Sequence, residues 1–280
     1  MRVFVAGATG AVGFEFARLA KEQGFFVHTL SRSPENARKL AGLADRVEVQ
    51  DARASMLNLQ GIDAVVSALG APVTMNGTEK RRYREVDLLG NLKILEAAKA
   101  AGVGRFLYVS AHIEQGYRET AYIRAHEEFV DALRQSGIRS SVIRPTGIFA
   151  ALNDFVSMAR EGLAAVIGSG QARTNPVHQE DVARQLLACL TSGPEEISIG
   201  GPDIFTRREI AELAFRVLGK HPRVLRVPAP AFRLGATIAG LTNPRLGELF
   251  EFVAAVSVTD GVAPSAGRLR LEDHFRTIAG

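Results

Sequence analysis

Hydrophobic positions along the chain fall into two alternating periods. Val3-Phe4-Val5-Ala6 is a short apolar run that stops at Gly7. Phe16, Leu19 and Ala20 then continue a stripe at helical spacing, which Gly24 closes. Strand-like runs recur at 25–30, 47–51, 62–70, 105–110 and 140–143. Between them, helical stripes cover 79–101, with Tyr83, Val86, Leu89, Leu92 and Leu95 on the apolar side, and 119–135, ahead of Gly137. Strand and helix in alternation predict βαβ units and a parallel sheet.

From about residue 148 the alternation loosens. A short helix at 155–162, a strand at 165–167, a helix at 181–190 and a last sheet strand at 197–199 are expected. After Gly200-Gly201-Pro202 the pattern becomes mainly helical. Thr206-Arg207-Arg208-Glu209 is a capping-box sequence for a helix to Leu218, and apolar helices follow at 232–241 and from Pro244 to 256. The expected organisation is a domain at 1–200, with a lobe insertion near 148–175, and a small lobe at 201–280.

Three glycines at equal spacing, Gly7, Gly10 and Gly13, join the first strand to its helix. Gly7 permits a tight turn, Gly10 lets backbone N–H groups approach a pyrophosphate, and Gly13 lets the helix pack on the strand. Gly7, Thr9, Gly10, Ala11, Val12 and Gly13 are therefore the expected cofactor loop; the plainer alternative is a glycine-rich turn without a ligand. The second strand ends in Ser31-Arg32-Ser33, and Arg38 follows. A carboxylate there would bind ribose hydroxyls, whereas a guanidinium with hydroxyls suits a phosphate. Ser31 and Arg32 thus favour NADP(H) over NAD(H), unless Arg32 is simply a solvated loop charge. Asp51 ends the third strand, as an adenine contact or as a turn residue. Ala68, Leu69 and Gly70 would leave room for a cofactor, a loop at 71–78 containing Pro72 and Gly77 would lie beside it, and Pro145 and Thr146 end a strand at the same sheet edge.

The 280 residues are 46% hydrophobic and 23% charged, enough for one sizeable core. The net charge of +4 is modest, and nucleic acid is not an expected partner. The single Cys189 lies in an apolar stretch, read as a buried inert thiol, and a cytoplasmic setting is compatible with it. Met1-Arg2 and the following apolar residues superficially resemble a signal peptide, but glycines interrupt the run; no apolar stretch is long enough to span a bilayer. The histidines, among them His28, His112, His221 and His274, lack metal-ligand spacing, and no metal is expected. His178 is read as a structural hydrogen-bonding residue.

The candidate chemistry centres on Ser110 at the end of the fifth strand, with Tyr122 and His126 one helical turn apart. Ser110 could orient a carbonyl oxygen and Tyr122 donate a proton as hydride arrives at carbon. Ser110 has no Asp–His partners for nucleophilic hydrolysis. The alternative is that Tyr122 only packs.

The glycine triplet, Arg105-Phe106-Leu107-Tyr108-Val109-Ser110, Tyr122, Arg144-Pro145-Thr146-Gly147 and the segment from Asn175 to Ala183 together resemble an atypical or extended short-chain dehydrogenase/reductase over residues 1–220. The nearest branches are the NmrA-like and respiratory complex I accessory-subunit-like ones. The resemblance implies an α/β fold, a doubly wound parallel Rossmann sheet with a small, mainly helical C-terminal lobe. It also implies a nicotinamide cofactor and a lobe that takes substrate. One departure stands out: the family's Tyr-x-x-x-Lys reads Tyr122-Ile123-Arg124-Ala125-His126. A histidine can hydrogen-bond a ribose, but without a neighbouring carboxylate it is mostly neutral at pH 7 and activates Tyr122 weakly. Two readings follow. One is an NADP(H)-dependent oxidoreductase acting on a small apolar or quinone-like carbonyl compound or its alcohol. The other is a non-catalytic NADP(H)-binding sensor or accessory protein, with a protein partner on the apolar C-terminal helices.

Overall fold

The computed structural model describes residues 1–53, 57–74 and 79–280. In chain order it contains β1 (Arg2–Ala6), α1 (Ala11–Glu22), β2 (Phe26–Ser31), α2 (Pro34–Arg38), β3 (Arg46–Val49) and β4 (Ala64–Ser67). A π-helical segment (Arg84–Gly90) runs into α3 (Asn91–Ala100), followed by β5 (Arg105–Val109), α4 (Ala121–Gln135) and β6 (Arg139–Pro145). Next are α5 (Asn153–Glu161), β7 (Ala164–Ile167), β8 (Arg173–Thr174), α6 (Gln179–Ala188) and β9 (Glu196–Ile199). Last come β10 (Phe205–Thr206), α7 (Arg207–Val217), β11 (Val224–Val227), α8 (Ala229–Thr242), α9 (Pro244–Val258) and α10 (Leu271–Ala279).

Among the described residues, seven strands form one sheet in the order β3-β2-β1-β4-β5-β6-β9, every neighbouring pair parallel. The chain runs outward from β1 to β3, then returns to lay β4 against the other side of β1. Ligands of open parallel sheets sit in the crevice at such a reversal, outside the carboxyl ends of the strands. This is the parallel sheet expected from the alternation, and a Rossmann-like α/β fold as the resemblance implies, with the 197–199 strand as its edge.

Strand residues alternate between two cores. Val3, Val5, Val66 and Leu107 face α1 and α6 with Phe16 and Leu186, while Phe4, Val65 and Phe106 face α3 and α4 with Ile94, Phe129 and Leu133. A third core gathers Phe149 and Val156 with Ile210, Phe215, Leu271 and Phe275, so the segment after β6 packs with α7 and α10. β7 pairs in parallel with β11, and β8 antiparallel with β10. The capping box at Thr206 and Glu209 is formed on both sides. Neither β11 nor α10 was evident in the sequence pattern.

Buried polar groups stitch the C-terminal residues to the sheet. Asn175 Nδ2 donates to the carbonyls of Gly201 (3.2 Å) and Ala263 (2.8 Å), and its Oδ1 accepts from Ala263 N at 3.0 Å. Asp181 Oδ2 accepts from the backbone N–H groups of Arg268 (2.8 Å) and Leu269 (3.0 Å).

The expected regular helix over 79–101 is corrected in its first half. The wide π turn rotates Asp87 and Asn91 into the interior, fully buried, and leaves Leu89 and Leu92 only half-buried. Asn91 compensates by donating from Nδ2 to the carbonyls of Asp87 (2.7 Å) and Leu69 (3.1 Å).

Candidate cofactor and proton-donor site

Gly7 adopts φ +79°, a left-handed conformation that disfavours a side chain, and a Cβ there would lie 2.5 Å from the Ala68 carbonyl oxygen. A Cβ on Gly13 would run into the Gly7 carbonyl. Gly10 donates its N–H to Gly7 O at 2.9 Å and caps α1 without a side-chain hydrogen bond, and the first turn carries no acidic residue. The first backbone N–H groups of α1, at Ala11, Val12 and Gly13, therefore have neither helical acceptors nor a competing carboxylate. Thr9 is exposed on the turn. This cradle fits a pyrophosphate, with the helix N-terminus aimed at the anion.

At the end of β2, Ser31 Oγ donates to Ser33 O at 3.1 Å, and Ser33 Oγ accepts from Asn36 N to cap α2. The half-exposed Arg32 pairs with Glu79 at 2.7 Å. Arg81, unsignalled by the sequence pattern, pairs with the same Glu79 at 2.9 Å and with Asp51 at 2.6 Å. Two guanidinium groups thus converge on one carboxylate, an arrangement that also fits a phosphate dianion. Asp51 is a turn residue here, accepting from Arg53 N at 2.9 Å, and both its oxygens are engaged by Arg53 and Arg81.

Ala68 and Leu69 continue β4, with Ala68 N donating to Ala6 O and Leu69 N to Ser67 Oγ. Gly70 needs a different explanation from the expected one: Asp87 Oδ1 lies 2.9 Å from where its Cβ would be, so the missing side chain makes room for a buried carboxyl. Of the expected 71–78 loop, residues 75–78, with Gly77, lie outside the described residues. Pro145 O accepts from His112 N at 2.9 Å; Thr146 donates its hydroxyl to Asn175 O at 2.5 Å and so joins the stitch to the lobe. His178 accepts from Glu180 N on Nδ1 and caps α6, a structural role.

Ser110 is buried and accepts from Arg144 Nη1 at 3.1 Å. Arg144 is itself held by Glu127 at 2.7 Å and Glu196 at 2.5 Å. Tyr122 faces other neighbours: its ring packs 4.5 Å from Phe252 of α9, 4.9 Å from Tyr83 and 4.6 Å from His126. The two residues expected to share one oxygen therefore sit against different neighbours, the Ser110 hydroxyl against Arg144 of β6 and the Tyr122 ring against Phe252 of α9.

His126 is buried rather than turned towards a ribose. Its Nδ1 shares a 2.6 Å hydrogen bond with the Tyr108 hydroxyl, and its Nε2 lies 3.3 Å from Asp87 Oδ1 without hydrogen-bond geometry. A carboxylate is thus next to the ring, but it does not charge it. Burial, reinforced by the Arg144 guanidinium, lowers the His126 pKa to about 3, and burial raises that of Asp87 to about 8. Desolvation of both groups outweighs their attraction, so a neutral imidazole faces a neutral carboxyl at pH 7. Burial, with Asp87 and Tyr83 adding to it, holds the Tyr122 phenol well above its ordinary range.

Between the start of α4 and the α8–α9 pair lies a cleft of about 660 Å³. Its wall includes Arg82, Tyr117, Thr120, Arg233, Glu248 and Glu251, but not Tyr122. Arg245 of α9 reaches inward beside it: its guanidinium covers the Tyr83 ring at 3.9 Å and donates to Pro72 O.

Comparison with known proteins agrees with the glycine turn. Divinyl chlorophyllide a 8-vinyl-reductase of Arabidopsis thaliana is 28% identical, over 99% of this chain and 76% of its own. Photosystem II assembly factor Ycf39 of Guillardia theta is 24% identical, over 81% of this chain and 74% of its own. The NADPH-dependent quinone oxidoreductase of Escherichia coli, solved with NADPH, superposes with a TM-score of 0.73 at 17% identity, covering 99% of this chain and 100% of that one; it shares the fold. The family model described as NAD(P)H-binding matches residues 7–193, from the first glycine of the cradle to the residues just before β9. The chain belongs to this NAD(P)H-binding family, the Rossmann-type group to which its dehydrogenase/reductase motifs pointed.

Proposed function

We propose that the chain is an NADPH-dependent reductase whose acceptor is a carbonyl or quinone-like compound with an apolar body and a polar edge. The observation that carries this reading is the setting of Tyr122. In the family pattern a lysine cation would favour the phenolate; here a neutral His126 occupies that helical position, and burial keeps the phenol protonated. Such a tyrosine can give a proton to a developing alkoxide but is a poor base for taking one from an alcohol. At pH 7 the phenol is thus poised as the proton donor that reduction requires. NADPH bound along the Gly7–Gly13 cradle would supply the hydride, and Arg32 with Arg81 would hold its 2′-phosphate in place of Glu79. The cleft with Arg82, Glu248 and Glu251 on its wall opens beside the start of α4, and an acceptor entering from it would meet a polar edge before reaching Tyr122. The name of the vinyl-reductase relative supports a reductase.

A second reading has its own support. The same neutral surroundings suit a protein that binds NADPH without turnover, and one relative is named an assembly factor. NADPH oxidation over a panel of quinones, enones and aldehydes separates the two. Turnover that collapses in Tyr122→Phe supports the reductase; tight NADPH binding with no turnover across the panel supports the second reading.

A further inference from the structure

The outer face of α8 carries an exposed apolar stripe, flanked by Thr237 and Thr242. Leu234, Ile238 and Leu241, at i, i+4 and i+7, form one stripe and are 64%, 58% and 82% exposed, and the exposed Ala231 and Gly235 lie beside it. The opposite side packs on α9, where Gly240 and Gly247 bring the backbones so close that a Cβ on Gly247 would lie 2.7 Å from Gly240 Cα. α8 has a single buried residue, Ala236. A soluble protein pays a solvation penalty for such a stripe unless something covers it.

The charge around the stripe points to what covers it. From Leu213 to Gly247 the sequence contains no Asp or Glu, but it holds Arg216, Lys220, Arg223, Arg226, Arg233 and Arg245. Arg216, Arg223, Arg226 and Arg233 are exposed, and β11, carrying Arg226 and the 54% exposed Leu225, leads directly into α8. A second copy of this chain would bring two such cationic surfaces together. The stripe lacks the Trp, Tyr and Met anchors that mark protein interfaces, and it sits on a convex helix face rather than in a groove. Among the described residues no helix is long and apolar enough to cross a membrane, so the helix would lie on a bilayer rather than span it.

We propose that α8 docks the protein on an anionic lipid surface, with Leu234, Ile238 and Leu241 entering the headgroup boundary and Arg223 and Arg226 pairing with lipid phosphates. The test is co-sedimentation of the full chain with vesicles of phosphatidylcholine alone or mixed with phosphatidylglycerol. The expected result is binding to the anionic vesicles that is at least about tenfold tighter than to neutral ones and that weakens as salt rises. The Leu234→Asp/Ile238→Asp/Leu241→Asp variant should lose this binding while keeping the wild-type melting temperature and NADPH affinity. Arg223→Glu/Arg226→Glu should weaken it by roughly fivefold or more per residue. Absence of vesicle binding, equal binding to neutral vesicles, or an unaffected triple variant would overturn the proposal. So would a wild-type dimer in sedimentation equilibrium that the triple variant dissociates, since a second copy would then cover the face.

Discussion

His126 Nε2 lies 3.3 Å from Asp87 Oδ1, and both groups are sealed from solvent as neutral species. An ion pair is the ordinary outcome at this distance. Here neither partner has a second hydrogen bond at the facing atom to offset the loss of water, so desolvation decides. The family's fixed cation beside the tyrosine is thus replaced by a pair without net charge, in which Asp87 holds the proton.

That arrangement makes stability depend on pH in a specific way. The Asp87 pKa is raised by folding, from near 4 to about 8, so its contribution is full below about pH 4 and is lost as pH rises through 8. His126 is lowered to about 3, so its contribution is full above about pH 6.5 and is lost as pH falls through 3. The two slopes cancel between about pH 4 and 6.5, and above that only Asp87 acts. The stability of wild type relative to Asp87→Asn should therefore fall by about 1.4 kcal/mol per pH unit between about pH 6.5 and 8. Denaturant unfolding of both proteins across this range measures it; parallel curves would place the ionised carboxylate in the folded protein.

Tyr122→Phe should lower reductive turnover by about a hundredfold or more with NADPH affinity unchanged, the loss expected for a general acid. In wild type the rate should stay level between about pH 6 and 7.5 and fall above about pH 8, where ionised Asp87 raises the phenol further. Asp87→Asn should remove that alkaline limb. Steady-state kinetics across pH on the three proteins check this, and a wild-type rate that rises with pH would show phenolate chemistry instead.

Arg32→Ala and Arg81→Ala should each weaken NADPH binding by roughly ten- to a hundredfold, the loss of a charge-assisted contact, and leave NADH binding nearly unchanged. Glu79→Gln should tighten NADPH by freeing both guanidinium groups. Fluorescence titration with the two nucleotides reads the preference directly.

Gly13→Ala should abolish nucleotide binding and cost about 1–3 kcal/mol of stability, because its methyl would overlap the backbone of Gly7 and Ala8. Gly10→Ala meets the Gly7 oxygen at 3.3 Å and should cost less. Thermal melting with and without NADPH separates the two variants.

The parallel sheet was legible in the sequence because buried strands and their covering helices have different hydrophobic periods, and the glycine spacing marked the cradle. What stayed hidden was polar and interior. Asp87 and Asn91 look like the solvated side of a helix, since the π turn that rotates them inward leaves no mark in a 3.6-residue stripe. Arg81 is brought to Arg32 by a shared carboxylate, a contact that spacing does not encode. His126 stands out in the sequence as a departure from Tyr-x-x-x-Lys, but its burial between Tyr108 and Asp87 depends on three separate elements meeting. The apolar residues of α8 looked like lobe core, because hydropathy reports composition and not which face finds a partner.

The stitches at Asn175 and Asp181 bear on the order in which the protein forms. Apart from the Gly201 carbonyl, their backbone partners lie 87 and 88 residues further along the chain. While the chain is being synthesised, the loop after β8 and the start of α6 therefore hold unpaired polar groups until the segment at 263–269 has emerged. A segment made well after this edge of the nucleotide-binding sheet is the part that locks it. A ribosome-bound chain stopped short of residue 263 should be readily proteolysed near residue 175, and a chain extended past residue 269 should lose that sensitivity.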